Sequence, residues 1–384
     1  MSGIYLDYNA SAPIDPRVLN VMIDVYKNAY GNADSRTHDY GEQARKVVAE
    51  GRKHVADLLG VNSDEVFFTS GATESNNMAL LGLSEYAEQT GKKHIITTAI
   101  EHKAILNAAK HLEKKGFVVE YIKPKRSGRI DIEDVMGRLR DDTLLVSVMH
   151  ANNETGVIQP IKEIGDLLKD TPVMFHTDVT QTCGKLVEEI RGLKYDMMSI
   201  AAHKMYGPQG IGALILRKKN YRLPPIKPIL FGGSQEHGIR PGTTPVALVA
   251  GFGEASRLAM GEYESNMQDY RSVKAVMVRC LDDSGIKYSI NGTQEFCMPT
   301  TLNISLEGVM SEALMIATKQ YCGVSNGSAC NSNSYEPSYV LSAMGISNSQ
   351  IENSIRISWG HGLDVIEIEK DFYKLLDVAK SMIF

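Results

Sequence analysis

His203-Lys204 lies in Ser199-Ile-Ala-Ala-His-Lys-Met-Tyr-Gly-Pro, directly after an apolar run and ahead of Gly207-Pro208. That order reads as a strand running into a turn. A lysine presented there becomes an amine nucleophile toward an aldehyde once its surroundings depress its pKa. A solvated surface lysine has the same local sequence, so Lys204 is informative only in company. Asp178 ends the apolar run 172–178, where a buried carboxylate can pair with a protonated ring nitrogen. Gln181, three residues on, carries an amide donor for an oxygen of the same ring. A strand-end turn former is the other reading of Asp178.

Three further strand ends add to the set. Thr69-Ser-Gly-Ala-Thr-Glu-Ser follows an apolar run and opens a helical pattern. Gly71 permits a tight turn, which leaves the amides of Ala72 and Thr73 free to bind a phosphate at a helix start. His102, in Ala-Ile-Glu-His-Lys-Ala, also begins a helical pattern, and it can stack on a ring and move protons or serve only as a cap. Asn153, in Met149-His-Ala-Asn-Asn-Glu-Thr-Gly, lies after another apolar run. A nucleophilic lysine, a ring-pairing carboxylate, a phosphate-binding turn and a stacking histidine at successive strand ends together describe a site for pyridoxal phosphate (PLP). Arg356, in Ser354-Ile-Arg-Ile-Ser-Trp, sits on a strand with Ile355 and Ile357 on the opposite face. There it is either a rigid fork for a carboxylate or half of a structural ion pair.

Cys330 differs from the other four cysteines, Cys183, Cys280, Cys297 and Cys322. It is set in Val324-Ser-Asn-Gly-Ser-Ala-Cys-Asn-Ser-Asn-Ser-Tyr-Glu-Pro, a stretch of small polar residues that reads as an exposed loop. A thiolate there, beside a PLP site, is placed to attack a substrate sulfur. Pro337 is expected to start the helix that bounds this loop.

The elements that must position these residues alternate. Strand-like runs at 66–69, 94–98, 117–122, 144–149, 173–177, 197–200 and 212–216 are separated by helical patterns such as 101–115 and 161–169. This predicts a mostly parallel sheet covered on both faces, with ligands beyond the carboxyl ends of its strands. After the Gly/Pro-rich stretch 232–245, a long helical pattern at 246–282 opens a second region. Strands at 301–305 and 354–358 mix there with helices at 311–321 and 337–344. The chain has 384 residues, 43% hydrophobic and 23% charged, enough for two or three domains. A net charge of −5 with only short basic runs argues against direct nucleic-acid binding. An odd number of widely spaced cysteines without C-x-x-C argues against a disulfide framework or a metal site. No signal-peptide pattern and no membrane-length apolar run is present, so a cytoplasmic protein is expected.

These motifs, together with Tyr5-Leu-Asp-Tyr-Asn-Ala, resemble the cysteine desulfurases of the NifS/IscS type, in the class V aminotransferase group of PLP enzymes. The resemblance covers nearly the whole chain. It implies an α/β protein of PLP fold type I, aspartate-aminotransferase-like, with a mostly parallel seven-stranded sheet in a large domain at 15–257. Residues 1–14 and 258–384 would form a smaller α/β domain carrying the cysteine loop 324–336. Lys204 is implied to be the Schiff-base lysine, Asp178 the pyridinium partner, Gln181 the donor to the phenolic oxygen and His102 the stacking acid/base. Ala72, Thr73 and His203 would hold the phosphate, with Thr243 reaching over from the other subunit of a homodimer. Asn153 and Arg356 would grip the carboxylate of L-cysteine, and Cys330 would take its sulfur as a persulfide, leaving L-alanine. An acceptor protein would then carry the sulfur into DNA phosphorothioation, iron–sulfur clusters or tRNA thiolation. Gly-Asn-Ala-Asp-Ser-Arg-Thr-His (31–38) and Arg-Ile-Ser-Trp lean toward the desulfurases of DNA phosphorothioation (the Dnd type).

Two positions depart from the family. Ala201 stands where a serine is frequent, which removes a phosphate hydrogen bond worth about 1 kcal/mol. The C-terminus, Ser381-Met-Ile-Phe384, lacks the tail that housekeeping members use on an iron–sulfur scaffold. Two neighbouring activities, selenocysteine lyase and cysteine-sulfinate desulfinase, depend less on the loop cysteine. A cofactor-bearing docking protein for sulfur relay is the non-enzymatic alternative.

Overall fold

The computed structural model describes residues 3–326 and 337–383. Its centre is a seven-stranded sheet whose strands lie in the order Val66–Thr69, Gly212–Leu216, Met197–Ala201, Met174–Asp178, Thr143–Ser147, His94–Thr98 and Val118–Ile122. All neighbours pair in parallel except Gly212–Leu216, which is antiparallel to both of its own. The link through residues 202–211 holds only a single 3-10 turn, too little chain for a parallel crossover. The five strands between the edges are buried along their whole length, as strands covered on both faces are. Val118–Ile122, at one edge, is partly exposed.

Where element ends differ from the sequence reading, side chains of the site region account for it. The predicted strand 144–149 stops at Ser147, because the Met149 amide turns to donate to Glu101 Oε1 at 2.9 Å. The helix expected over 101–115 begins at Lys103, with His102 as its cap: Nδ1 accepts the Ala104 amide at 3.1 Å. The helix expected from Pro337 begins at Tyr339, because Ser338 supplies the cap by accepting the Leu341 amide at 3.0 Å.

One helix, Val246–Ser284, runs for 39 residues, or about 58 Å at 1.5 Å per residue. Val249, Phe252, Ala255 and Leu258 in its first half join the apolar core under the large sheet. Tyr270, Val273, Met277, Cys280 and Leu281 in its second half join a separate core. Helix Asp39–Leu59 crosses the first half so closely that a Cβ on Gly253 would lie 2.4 Å from Gly51 Cα. The second core is built on the antiparallel strands Ser354–Ser358, Thr301–Leu306 and Tyr288–Ile290 and on helix Val365–Ser381. The chain start belongs to it as well, since Ile4 and Leu6 pack there and Ile4–Tyr5 pairs with Cys322–Gly323. Among the described residues, no helix is long and apolar enough to cross a membrane.

Candidate active site

A cavity of about 510 Å³ lies beyond the carboxyl ends of the parallel strands. Ala72, Thr73, His102, Asn153, Asp178, Gln181, His203, Lys204 and Arg356 all line it. Thr243 does not: it is exposed in its own chain. Cys330 and most of its loop lie outside the described residues.

Lys204 follows strand Met197–Ala201 in the short 3-10 turn Ala202–Lys204. Its Nζ donates to the carbonyl oxygen of Asn9 and, at 2.8 Å, to that of Ala10. Neither acceptor carries a full charge, and burial pushes the amine's pKa down to about 7. Arg356 and Lys185 push in the same direction, while Asp7 and Asp178 push back. Lys204 thus holds a substantial neutral, nucleophilic fraction at neutral pH. His203 beside it is driven to about 4 by burial and by the Lys204 charge, so it is a neutral imidazole.

Asp178 is held rigidly. Asn76 Nδ2 donates to Oδ2 at 2.7 Å, and the Thr180 amide donates to Oδ1 at 2.9 Å. Burial lowers the His102 pKa, and its Nδ1 accepts the Ala104 amide. The ring proton therefore sits on Nε2. Gln181 gives one amide hydrogen to the Asn9 carbonyl at 3.1 Å, which leaves its second for another acceptor.

The phosphate turn is set by glycine on both sides. Gly71 has φ +149°, and no atom lies within 4 Å of where its Cβ would be. Gly212, on the antiparallel strand, backs the turn so tightly that a Cβ there would lie 2.8 Å from Gly71 Cα and 2.5 Å from the Ile200 carbonyl oxygen. Glu74 accepts the Ser70 amide at 2.5 Å and pairs with Arg240 at 2.9 Å, which fixes the start of helix Ala72–Leu81. Ala201 is fully buried and is not a lining residue.

Of the two sequence readings of Arg356, the ion pair is present, and the residue also lines the cavity. It is 3% exposed, its Nη2 pairs with Asp7 Oδ1 at 2.6 Å and its Nη1 donates to the Asn153 carbonyl at 3.0 Å. Among the described residues its Nε has no hydrogen-bond partner, and neither do the buried atoms Asn153 Oδ1, Asn76 Oδ1, Thr180 Oγ1 and Gln181 Oε1. Buried polar atoms left unpaired are costly, so this concentration around one cavity marks a place for a polar guest. A ring nitrogen opposite Asp178, an aldehyde at Lys204 and a phosphate at the Ala72–Thr73 turn match the donors present, and the residues fit PLP.

Sequence reasoning missed Asn9, Ala10, Asp7 and Asn76. Asp7, Asn9 and Ala10 lie in the Tyr5–Ala10 motif but beside no regular element of the large sheet. They reach the cavity because the chain start is anchored on the second core, with the Asn9 amide donating to Ser358 Oγ at 2.9 Å. Asn76 is one helical turn past the phosphate turn, a spacing that faces the same strand ends.

The family model "Aminotransferase class-V" matches residues 4–370. The cysteine desulfurase IscS of Histophilus somni is 44% identical over 95% of this chain and 90% of its own length. A solved NifS-like protein superposes with a TM-score of 0.90 at 34% identity, covering 99% of this chain and all of its own. The crystal structure of DndA from Streptomyces lividans gives 0.81 at 41% identity, over 94% of this chain and 100% of that one.

Proposed function

The chain belongs to the class-V aminotransferase family and is a PLP-dependent cysteine desulfurase, and we propose that Lys204 carries its cofactor and Cys330 receives its sulfur. The observation that carries the assignment of residues is the meeting of Lys204, Asp178, His102 and the Ala72–Thr73 turn on one cavity that Asn153 and Arg356 also line. Bound PLP supplies an aldehyde that captures amines and a ring that takes up electrons released at the substrate α-carbon.

Around that ring the protein's own groups divide the work. The Ala72 and Thr73 amides and His203 would hold the phosphate, while Asp178 would keep the ring nitrogen protonated. His102 would lie against the ring, and Gln181 would donate its free amide hydrogen to the phenolic oxygen. Arg356 and Asn153 orient the L-cysteine carboxylate. With PLP bound, the neutral Lys204 Nζ would be one base for the substrate α-proton, and His102 would be the other group able to move it. The Cys330 thiolate attacks the substrate sulfur: an S–S bond forms and the C–S bond breaks with its electron pair returning to carbon. Protonation of that carbon and return of a proton to the α-carbon give L-alanine, and the persulfide stays on Cys330.

We assign 15–257 to the cofactor-binding domain and 1–14 with 258–384 to the smaller one. The working unit in this reading is a homodimer in which Thr243 of each chain reaches the partner's phosphate site. Leu19, Ile23 and Tyr26 on helix Pro16–Asn28, with Tyr30 just beyond its end, form an exposed apolar face, a surface suited to a second copy. The sulfur goes to an acceptor protein, and the DndA similarity favours one serving DNA phosphorothioation.

Two variants test the assignment. Lys204→Ala abolishes alanine formation, and full activity in that variant sinks the scheme. Cys330→Ala keeps the cofactor absorbance but releases no sulfide from L-cysteine; normal release moves the nucleophile elsewhere.

A further inference from the structure

Two buried carboxyl groups play no part in the chemistry above. Glu101 and Glu154 are each 1% exposed, and neither lines the cavity. Each adjoins a residue that does: Glu101 precedes His102 and Glu154 follows Asn153. Each also meets the chain where it re-enters after residues 327–336. Ser338 Oγ donates to Glu154 Oε2 at 2.5 Å and at the same time caps helix Tyr339–Ala343. Tyr339 Oη donates to the Glu101 carbonyl at 2.7 Å. Beneath these bonds, Ile100 packs against Val340, Leu341 and Met344. On the other side of the cysteine segment, Ser325 is bridged to the Arg356 backbone, its amide donating to the Arg356 carbonyl at 3.2 Å. The segment is thus tied at one end to Arg356 and at the other to the neighbour of Asn153, the two residues assigned to the substrate carboxylate.

We propose that Glu154 is a positioning residue for sulfur transfer: its bond to Ser338 fixes the chain after the Cys330 segment in register with Asn153 and Arg356. The bond is poor evidence of a purely structural role, because a buried carboxyl is costly and an apolar pair would pack the same space. Burial pushes Glu154 up to about 7, against the Ser338 hydrogen bond and the charges of Arg356 and Lys103, so the carboxyl is partly protonated near neutral pH. The work asked of it is to accept the Ser338 hydrogen bond, which a Gln amide oxygen also does, so Gln substitutes for Glu.

The inference rests on Cys330 as the nucleophile, and the test separates the two ideas. The holoenzyme and its variants are assayed on L-cysteine and on L-cysteine sulfinate, whose oxidised sulfur leaves without an attacking thiol. Glu154→Ala and Ser338→Ala each lower kcat on cysteine about tenfold, the effect of ~1.4 kcal/mol, with KM within about twofold. Both leave sulfinate turnover and cofactor absorbance at wild-type levels, and Glu154→Gln restores cysteine turnover. Equal losses on the two substrates, or wild-type cysteine turnover in Ser338→Ala, overturn the proposal. Should Glu154→Ala fail to fold, Ser338→Ala and Glu154→Gln decide alone. Wild-type cysteine turnover in Cys330→Ser overturns the Cys330 assignment itself, whatever the Glu154 variants do.

Discussion

The amine of Lys204 should react as a group with a pKa near 7 instead of 10.5. At about pH 8, a group at about 7 is roughly 90% neutral, whereas an ordinary lysine is about 0.3% neutral, a ratio on the order of 300. Burial contributes most of the depression, with Arg356 next and Lys185 after it. The assay is timed labelling of the cofactor-free protein with trinitrobenzenesulfonate across the pH range, with the Lys204 peptide quantified by mass spectrometry against peptides of exposed lysines. The rate follows the neutral fraction, so the Lys204 midpoint is expected near 7. Arg356→Gln removes a repelling cation and should raise that midpoint by on the order of one pH unit. Asp7→Asn removes an attracting anion and should lower it. A midpoint above about 9, or a fall in Arg356→Gln, refutes the reasoning that a cation-rich, partly dry cavity prepares Lys204.

Two further outcomes test the phosphate turn and the proposed shared site. Gly212→Ala places a methyl group against Gly71 Cα and the Ile200 carbonyl; PLP affinity, read by titrating the cofactor-free protein, should fall at least tenfold, or ~1.4 kcal/mol, and unchanged affinity would show that the turn can move at no cost. Mixing a Thr243→Asp chain with a Lys204→Ala chain should restore up to half of the wild-type alanine formation, because one site of the hybrid then has both an intact lysine and an intact partner threonine; no recovery in a verified hybrid refutes the shared phosphate site.

What could be read from the sequence and what could not divides along physical lines. Strands Val66–Thr69, His94–Thr98, Gly212–Leu216 and Ser354–Ser358 fall on the predicted runs, because strands covered on both faces leave largely apolar runs and a strand packed on a core leaves alternation, as in Ser-Ile-Arg-Ile-Ser. Site residues at strand ends were legible for the same reason, since a strand followed by a turn fixes where its last side chain goes. Helix Pro16–Asn28 carried a signal that was not used: Asp15 accepts the Arg17 amide at 2.7 Å and Pro16 opens the helix, the expected start for a cap. Strand Ile4–Tyr5 carried none, being two residues long and defined only by its pairing with Cys322–Gly323. The same limit hid the groups that tune the site. Asn9 and Ala10 act on Lys204 through backbone carbonyls, which every residue has, and Lys185 acts through proximity across a cavity wall. Glu101 and Glu154 were in plain sight inside quoted motifs, yet in sequence a buried acid and a solvated one are the same letter. Motifs therefore report which side chains line the cavity, while the backbone and buried groups that tune those side chains become visible only when distant segments are brought together.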